Sequence, residues 1–218
     1  MIEKYKHIIW DWNGTIFNDV ELSHSLINNL LTKYNIKTIT LDEYKDYFTM
    51  PVRSYYESIG FDFTKLSFEV VGKEWMDEYE RRKYEANLAP GIVDVLKKNK
   101  SLGIDQSILS AYSQHTLEEV VGYFNLKEYF SHIVGLDNIY AASKLQQGKD
   151  LIKKIGLDGG SVLLIGDMIH DLEVAREIGA DCILLGSGHQ SVKNLKELSL
   201  PLGDITILPS VDKLLNFD

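Results

Sequence analysis

The sequence has few of the features that mark secreted or membrane-spanning proteins. Among its 218 residues it has a single cysteine, Cys182, so no internal disulfide can form. Cys182 lies in an apolar run and is predicted to be a buried strand residue rather than a reactive thiol. No apolar run approaches the roughly 20 residues that a membrane span requires. The N-terminus leads directly into a strand without the layout of a signal peptide, so a cytoplasmic protein is expected.

Basic residues are also scarce relative to acidic ones. The 23 lysines and arginines face 32 aspartates and glutamates, which gives a formal net charge of -9. An acidic surface repels nucleic acids and anionic membranes, so neither is expected as a partner. It also repels phosphorylated molecules. An enzyme that acts on phosphate with this balance needs local positive charge, and a bound divalent cation is the simplest source.

The hydrophobic pattern divides the chain into two kinds of segment. A short apolar strand before Asp11 is followed by residues 17–88, where apolar residues recur at helical spacing and no strand is predicted. After Pro90-Gly91, short apolar strands at 104–109, 133–134, 162–165, 182–185 and 205–207 alternate with helices at 92–100, 116–123, 144–155 and 172–178. This predicts an α/β fold, with a Rossmann-like parallel sheet core in residues 1–16 and 89–218 and an inserted all-helical cap domain in residues 17–88.

Polar residues follow several of the predicted strands, where ligands bind in parallel sheets. A carboxylate such as Asp11 can attack a phosphoryl group. Asp167 follows another strand, and the two aspartates could share one cation. Carboxylate oxygens suit magnesium, and no His/Cys cluster indicates zinc. Ser110 could donate to phosphoryl oxygens, and Lys144 would add positive charge where the transition state spreads negative charge.

These segments resemble the four motifs of the haloacid-dehalogenase superfamily. The first is similar to residues 9–15, the second to residues 108–110, the third to Lys144, and the fourth to residues 164–167 with Asp171. The resemblance spans nearly the whole chain and is nearest to the phosphoglycolate-phosphatase-like branch, in which a helical cap follows the first motif. Lys149 competes for the third motif, but Lys144 fits better by its distance along the chain to Asp167.

The resemblance implies a role for each of these residues. Asp11 would be the nucleophile, and Asp11, Asp167 and the backbone carbonyl of Asn13 would bind Mg²⁺. The phosphoryl group would be held by Ser110 and Lys144. Asp171 would bind the lysine or a metal-bound water. The resemblance therefore implies a magnesium-dependent phosphatase that forms an aspartyl-phosphate on Asp11.

The sequence departs from the family pattern two residues after the nucleophile. The family has a second aspartate there, which protonates the leaving oxygen and later activates water, whereas this chain has Asn13. An amide cannot transfer a proton at neutral pH, and such general acid–base help is typically worth about 10²–10⁴-fold in rate. The enzyme is therefore expected to be slow, to use substrates with good leaving groups, or to use another acid. His115, His170 and Tyr112 are the candidates for that acid.

The cap is expected to select the substrate, because it would close over the strand ends and exclude water. Asn18 and Arg53 are its candidate specificity residues, and Arg53, predicted in a loop, could hold a second anionic group. The expected substrate is a small phosphorylated metabolite, and the expected protein is a monomer or homodimer. The alternative function, favoured by Asn13, is a catalytically weakened phospholigand-binding or regulatory protein. A phosphomutase especially needs the missing proton carrier, and a dehalogenase has no use for the metal that Asp167 implies.

Overall fold

The computed structural model describes residues 2–136, 144–203 and 205–217. Its strands are β1 (His7–Trp10), β2 (Phe17–Asn18), β3 (Asn87–Leu88), β4 (Asp105–Ser113), β5 (His132–Leu136), β6 (Val162–Gly166), β7 (Asp181–Leu185) and β8 (Thr206–Leu208). Its helices are α1 (Val20–Lys33), α2 (Leu41–Tyr47), α3 (Val52–Ser58), α4 (Phe68–Arg82), α5 (Ile92–Ser101), α6 (Gln114–Tyr123), α7 (Leu145–Ile155), α8 (Ile169–Ile178) and α9 (Val192–Ser199). Within these ranges, no helix is both long and apolar enough to cross a bilayer.

The main sheet has β1 at its centre. Its strand order is β5-β4-β1-β6-β7-β8, and every neighbouring pair is parallel. Trp10, the last residue of β1, is in register with Ile108 on β4 and Ile165 on β6. The carboxyl ends of β1, β4 and β6 therefore meet at one edge. The predicted α/β fold with a parallel sheet is confirmed, and its topology brings the first, second and fourth motifs together.

The helical segment between β1 and the later strands has an apolar core of its own. Residues of α1, α2, α3 and α4, including Ile27, Tyr44, Tyr55 and Val71, pack into a cluster separate from those of the sheet. The strand-free prediction for 17–88 is corrected at its two ends, where β2 and β3 pair antiparallel as a short ribbon. This ribbon joins the incoming and outgoing chains at the base of the cap. The domain boundaries themselves stay a prediction.

Three local predictions differ from the structure. Strand β4 continues to Ser113, beyond the predicted end at residue 109, with a register irregularity against β5. Ser110 thus lies inside a strand rather than after it. Helix α8 begins at Ile169 instead of residue 172, because the Asp171 side chain accepts hydrogen bonds from the backbone N–H of Met168 at the helix start. Cys182 lies in β7 as predicted but is only half-buried.

Candidate active site

Three buried aspartates lie together at the carboxyl edge of the sheet. Asp11 follows β1, Asp167 follows β6, and Asp171 is in the first turn of α8. One carboxylate oxygen from each lies within 4.8 Å of the others. The central position of β1 makes this grouping possible, because the ends of two adjacent parallel strands are separated by only one interstrand spacing.

Lys144, at the start of α7, provides the positive charge at this cluster. Its Nζ forms ion pairs with Asp11 Oδ1 and, at 2.6 Å, with Asp171 Oδ1, and the lysine is only 3% exposed. Lys149 lies half-buried farther along the same helix and pairs with Glu177 at 3.2 Å. The structure thus brings Lys144, and not Lys149, into the cluster. Asp171 contacts the lysine, one of the two partners that the sequence analysis considered.

Asp11 and Asp167 are buried carboxylates whose pKa values are raised, because the nearby positive charges do not fully offset their burial. Burial raises the pKa of Asp11 to about 6, although Lys144 acts in the opposite direction. It raises the pKa of Asp167 to about 8, against the lowering effect of His189. A cation between these two carboxylates would stabilise their ionised forms. The donors are carboxylate oxygens, which suit Mg²⁺ better than zinc.

The backbone around Asp167 holds its carboxylate in place. The backbone N–H of His189 donates to Oδ2 at 2.6 Å, and the Thr15 hydroxyl donates to Oδ1 at 3.3 Å. Gly14 has a left-handed φ of 73°, and a Cβ there would lie 2.8 Å from Asp167 Cγ. A side chain at position 14 would therefore both strain the turn and displace the carboxylate. The Asn13-Gly14 turn read from the sequence thus has a direct steric role.

The catalytic cavity is a space of about 240 Å³ beside Asp11, and Ser110 and Lys144 also line it. Ser110 is buried, and its Oγ accepts a hydrogen bond from the backbone N–H of Tyr112 at 3.1 Å. This contact fixes the Ser110 oxygen while leaving its O–H as a donor. An anion in this cavity would meet a hydroxyl donor and a lysine next to the carboxylate that would attack it.

Asn13 is held by residues that the sequence analysis did not select. Its Nδ2 donates to Asp19 Oδ2 at 2.9 Å and to Tyr79 Oη at 2.7 Å. The Tyr79 hydroxyl in turn donates to Asp19 Oδ2 at 2.7 Å. Asp19 is only 2% exposed and also accepts from the backbone N–H of Gly14 at 3.0 Å. The amide is therefore fixed at the cavity wall by a buried carboxylate.

His189, which the sequence analysis also did not select, pairs with the carboxylate of Asp19. His189 Nε2 lies 3.2 Å from Asp19 Oδ1, and its Nδ1 lies 2.8 Å from the hydroxyl of Tyr44 in α2. Burial alone would raise the pKa of Asp19, but the charge of His189 together with hydrogen bonds from His189, Tyr79 and Asn13 lowers that pKa overall. Burial alone would lower the pKa of His189, but the charge and hydrogen bond of Asp19, together with the charges of Asp167 and Asp11, raise that pKa overall. A buried ion pair thus lines the same cavity as Asp11.

Of Asp19 and His189, it is His189 that could have been selected from the sequence. His189 follows Gly186-Ser187-Gly188 after β7, so the same rule that selected Asp167 at a strand end would have selected it. Asp19 precedes a helix and looks like an ordinary N-cap, although its side chain makes no capping bond. Its role depends on contacts with residues 60 and 170 positions away in the chain.

The remaining sequence candidates divide into those that line the catalytic cavity and those that do not. Tyr112 and His170 line it, and the Tyr112 hydroxyl donates to Glu80 at 2.6 Å. His115 is exposed on α6 and does not line it.

The two specificity candidates also lie outside the catalytic cavity, and their role in specificity stays a prediction. Asn18 is exposed in β2. Arg53 is in α3 rather than a loop; it pairs with Glu57 at 3.1 Å and lies over the ring of Phe68. Its guanidinium is therefore engaged on the surface of the cap and does not provide the catalytic cavity with a second anion site.

The chain was compared with known protein families. The family model described as haloacid dehalogenase-like hydrolase matches residues 8–185. This chain belongs to that family. The match runs from the second residue of β1 to the end of β7 and so includes all four motif positions at the site.

Individual relatives agree with this family. The chain is 19% identical to a phosphoglycolate phosphatase of Rhodobacter capsulatus over 187 residues, which are 84% of this chain and 85% of that protein. It is 27% identical to human magnesium-dependent phosphatase 1 over 121 residues, 55% of this chain and 64% of that one. The crystal structure of a predicted phosphatase from Clostridium acetobutylicum has a TM-score of 0.80 at 21% identity, covering 97% of both chains. The predicted family, its phosphoglycolate-phosphatase-like branch and the phosphatase class are confirmed.

Proposed function

We propose that this protein hydrolyses a small phosphate monoester with the help of Mg²⁺, through an aspartyl-phosphate on Asp11. The observation that supports this most is the grouping of Asp11, Asp167 and Lys144 in one buried cluster that opens to the catalytic cavity. A nucleophilic carboxylate beside a fixed cation is the arrangement that phosphoryl transfer requires. The names of the relatives, which include phosphoglycolate phosphatases and a magnesium-dependent phosphatase, support the same class of reaction.

Each residue then has a chemical task. The Asp11 carboxylate attacks phosphorus, the bond from phosphorus to the leaving alcohol oxygen breaks, and a water later attacks phosphorus and releases Asp11 and inorganic phosphate. Ser110 and Lys144 stabilise the charge on the transferred oxygens. Asp171 positions Lys144 through the 2.6 Å ion pair. Asp11, Asp167 and the backbone carbonyl of Asn13 would hold Mg²⁺, which supplies positive charge to the phosphoryl group.

Acetyl phosphate tests this proposal directly, because its leaving group is small and needs no protonation. Turnover is expected with Mg²⁺ and is expected to be lost with EDTA. Asp11→Asn should abolish turnover, because it removes the nucleophile at nearly constant size. Asp150→Asn is the matched control, since Asp150 is an exposed aspartate on α7. Residual turnover above a few per cent in purified Asp11→Asn protein would overturn the assignment of the nucleophile.

The alternative is a phospholigand-binding protein with weakened catalysis, and Asn13 is the feature that favours it. Under that alternative, the wild-type chain would bind phosphate in the presence of Mg²⁺ without turning over acetyl phosphate. Isothermal titration with inorganic phosphate, run beside the kinetic assay, distinguishes the two functions. The cytoplasmic location and the monomeric or homodimeric state stay predictions.

A further inference from the structure

The cap contains a second cavity that is larger than the catalytic one and has a mainly apolar wall. Its volume is about 770 Å³, and it lies among α1, α3 and α4 with the end of α2. Aromatic side chains dominate its wall: Tyr44, Phe48, Tyr55, Tyr56, Phe68 and Trp75. We call this space the cap cavity. Its size and apolar wall are those of a small-molecule site rather than of a packing defect.

The cap cavity adjoins the catalytic cavity. Six residues line both spaces: Ser23, Tyr44, Phe48, Val52, Trp75 and Met76. A substrate whose phosphoryl group lies at Asp11 would therefore have its organic part next to the cap cavity. The small catalytic cavity leaves little room for any other placement of a bulky leaving group.

The charges around the cap cavity do not suit a second anionic group. Lys73 is the cation among the described lining residues, and its Nζ is paired with Asp77 at 2.5 Å. Glu69 adds a further carboxylate to the same wall. Arg53, the expected anion-binding residue, is paired with Glu57 outside this wall. A carboxylate or second phosphate on the substrate would meet repulsion here, whereas an uncharged ring would meet aromatic side chains.

Two details of the cavity wall indicate that it receives a ligand. Gly72 lies inside α4, where glycine is less favourable than alanine, yet a Cβ there would meet nothing within 4 Å. Packing therefore does not require the glycine, and a larger side chain would occupy the cavity. Tyr55 is 2% exposed, and its hydroxyl is buried without a hydrogen-bond partner among the described residues. Such a group costs free energy unless a ligand supplies the partner.

We infer that the leaving group of the substrate is a bulky, uncharged phenol that lies in the cap cavity. This inference rests on the proposed phosphatase function and specifies its substrate class. The catalytic site supports it independently, because Asn13 cannot donate a proton to the leaving oxygen. An aryl oxide is a weaker base than an alkoxide and leaves without that proton. The missing acid and the aromatic cap cavity thus select the same substrates.

The test compares four phosphates on the wild-type protein with Mg²⁺: acetyl, phenyl and 1-naphthyl phosphate and 2-phosphoglycolate. Phenyl and 1-naphthyl phosphate have leaving groups of similar basicity and differ mainly in bulk. We expect kcat/KM for 1-naphthyl phosphate to exceed that for phenyl phosphate at least about tenfold, the size of effect that a hydrophobic pocket gives. 2-Phosphoglycolate should be the poorest of the four. A naphthyl-to-phenyl ratio near one, or a preference for 2-phosphoglycolate, would overturn the inference.

Variants of α4 show whether the cap cavity causes the preference. Gly72→Phe should fill the cavity and lower the naphthyl-to-acetyl ratio of kcat/KM by about tenfold, chiefly through KM. Gly72→Ala makes the same backbone change without the bulk, and Val70→Phe adds the bulk on the exposed face of the same helix. Val70→Phe should keep the wild-type ratio, and Gly72→Ala should lower it less than Gly72→Phe does. An unchanged ratio in folded Gly72→Phe protein would show that the ring lies elsewhere.

The substrate set also separates this inference from the proposed function. If acetyl phosphate is not turned over at all, the phosphatase proposal fails. If acetyl phosphate is turned over normally but naphthyl phosphate has no advantage, only the cap-cavity inference fails. The wild-type comparison does not depend on any variant, so a folding failure of Gly72→Phe would not leave the inference untested.

Discussion

Replacing Asn13 with aspartate should convert this protein into a faster phosphatase for alkyl substrates. The Asn13 amide lies 2.9 Å from Asp19 Oδ2, so Asn13→Asp places a half-buried carboxylate beside the buried one of Asp19. At an effective dielectric constant of about 20, two unit charges about 4 Å apart repel by about 4 kcal/mol, equivalent to about 3 pKa units. One of the two carboxyl groups should therefore keep its proton near neutral pH. The variant would then carry the general acid that the wild-type site lacks.

The gain should depend on the leaving group. Ethyl phosphate leaves as a strongly basic alkoxide and needs the proton most, whereas nitrophenyl phosphate needs it least. We expect kcat/KM to rise about 10²-fold for ethyl phosphate and much less for nitrophenyl phosphate. The variant should also lose about 1–3 kcal/mol in its free energy of unfolding, because the amide donor to Asp19 is lost.

The double variant Asn13→Asp, Asp19→Asn is the matched comparison. It exchanges the amide and the carboxylate, so it restores an acid at position 13 without the like-charge pair. It should keep only part of the gain on ethyl phosphate, because without the like-charge pair a smaller fraction of the carboxyl group at position 13 is protonated near neutral pH, while Asp19→Asn alone should show none. Since Asn-Gly sequences can deamidate, intact mass and peptide mapping must accompany the kinetics. Unchanged or lower ethyl phosphate turnover in both the single and the double variant would refute the reasoning and direct attention to Tyr112 or His170.

Three further predictions concern the cation-binding and cap contacts. Lys144→Met should lower acetyl phosphate turnover at least about 10²-fold and lower the free energy of unfolding by about 3–5 kcal/mol. Lys149→Met should keep acetyl phosphate turnover within about twofold of wild type. Similar effects of the two variants would contradict the assignment of Lys144 to the site. The pKa values of Asp11 and Asp167 in the folded protein, about 6 and 8, are raised above those in the unfolded chain, so both carboxyl groups bind protons more tightly when the protein is folded. The Tm of EDTA-treated protein should therefore fall as the pH rises from 5 to 8. Mg²⁺ should raise the Tm more at pH 8 than at pH 5, and an equal shift would argue against carboxylate ligation. Tyr44→Phe removes the 2.8 Å contact with His189 and should lower the free energy of unfolding in urea by about 1 kcal/mol. An unchanged free energy of unfolding would show that this contact does not link the cap to the core.

The sequence by itself determined the alternation of strands and helices and the order of the catalytic motifs. Apolar strands at 162–165 and 182–185 could be predicted because a strand buried on both faces is a continuous apolar run. Asp11 and Asp167 could be selected because each ends such a run, and parallel strands present their carboxyl ends at one edge. The choice of Lys144 over Lys149 also came from spacing along the chain. These features are local, or follow from a general rule of sheet topology.

Only the tertiary structure decided what surrounds the nucleophile. Asp19, Tyr79 and His189 are distant in sequence and converge through cap helices and a loop after β7, so no local pattern relates them. Arg53 had the right chemistry for a second anion, but it pairs instead with Glu57, one turn along α3, and lies outside both cavities. The cap cavity likewise depends on how α1, α3 and α4 pack. The periodicity of a helix predicts which of its faces is apolar, whereas the space left between such faces depends on the packing of several helices at once.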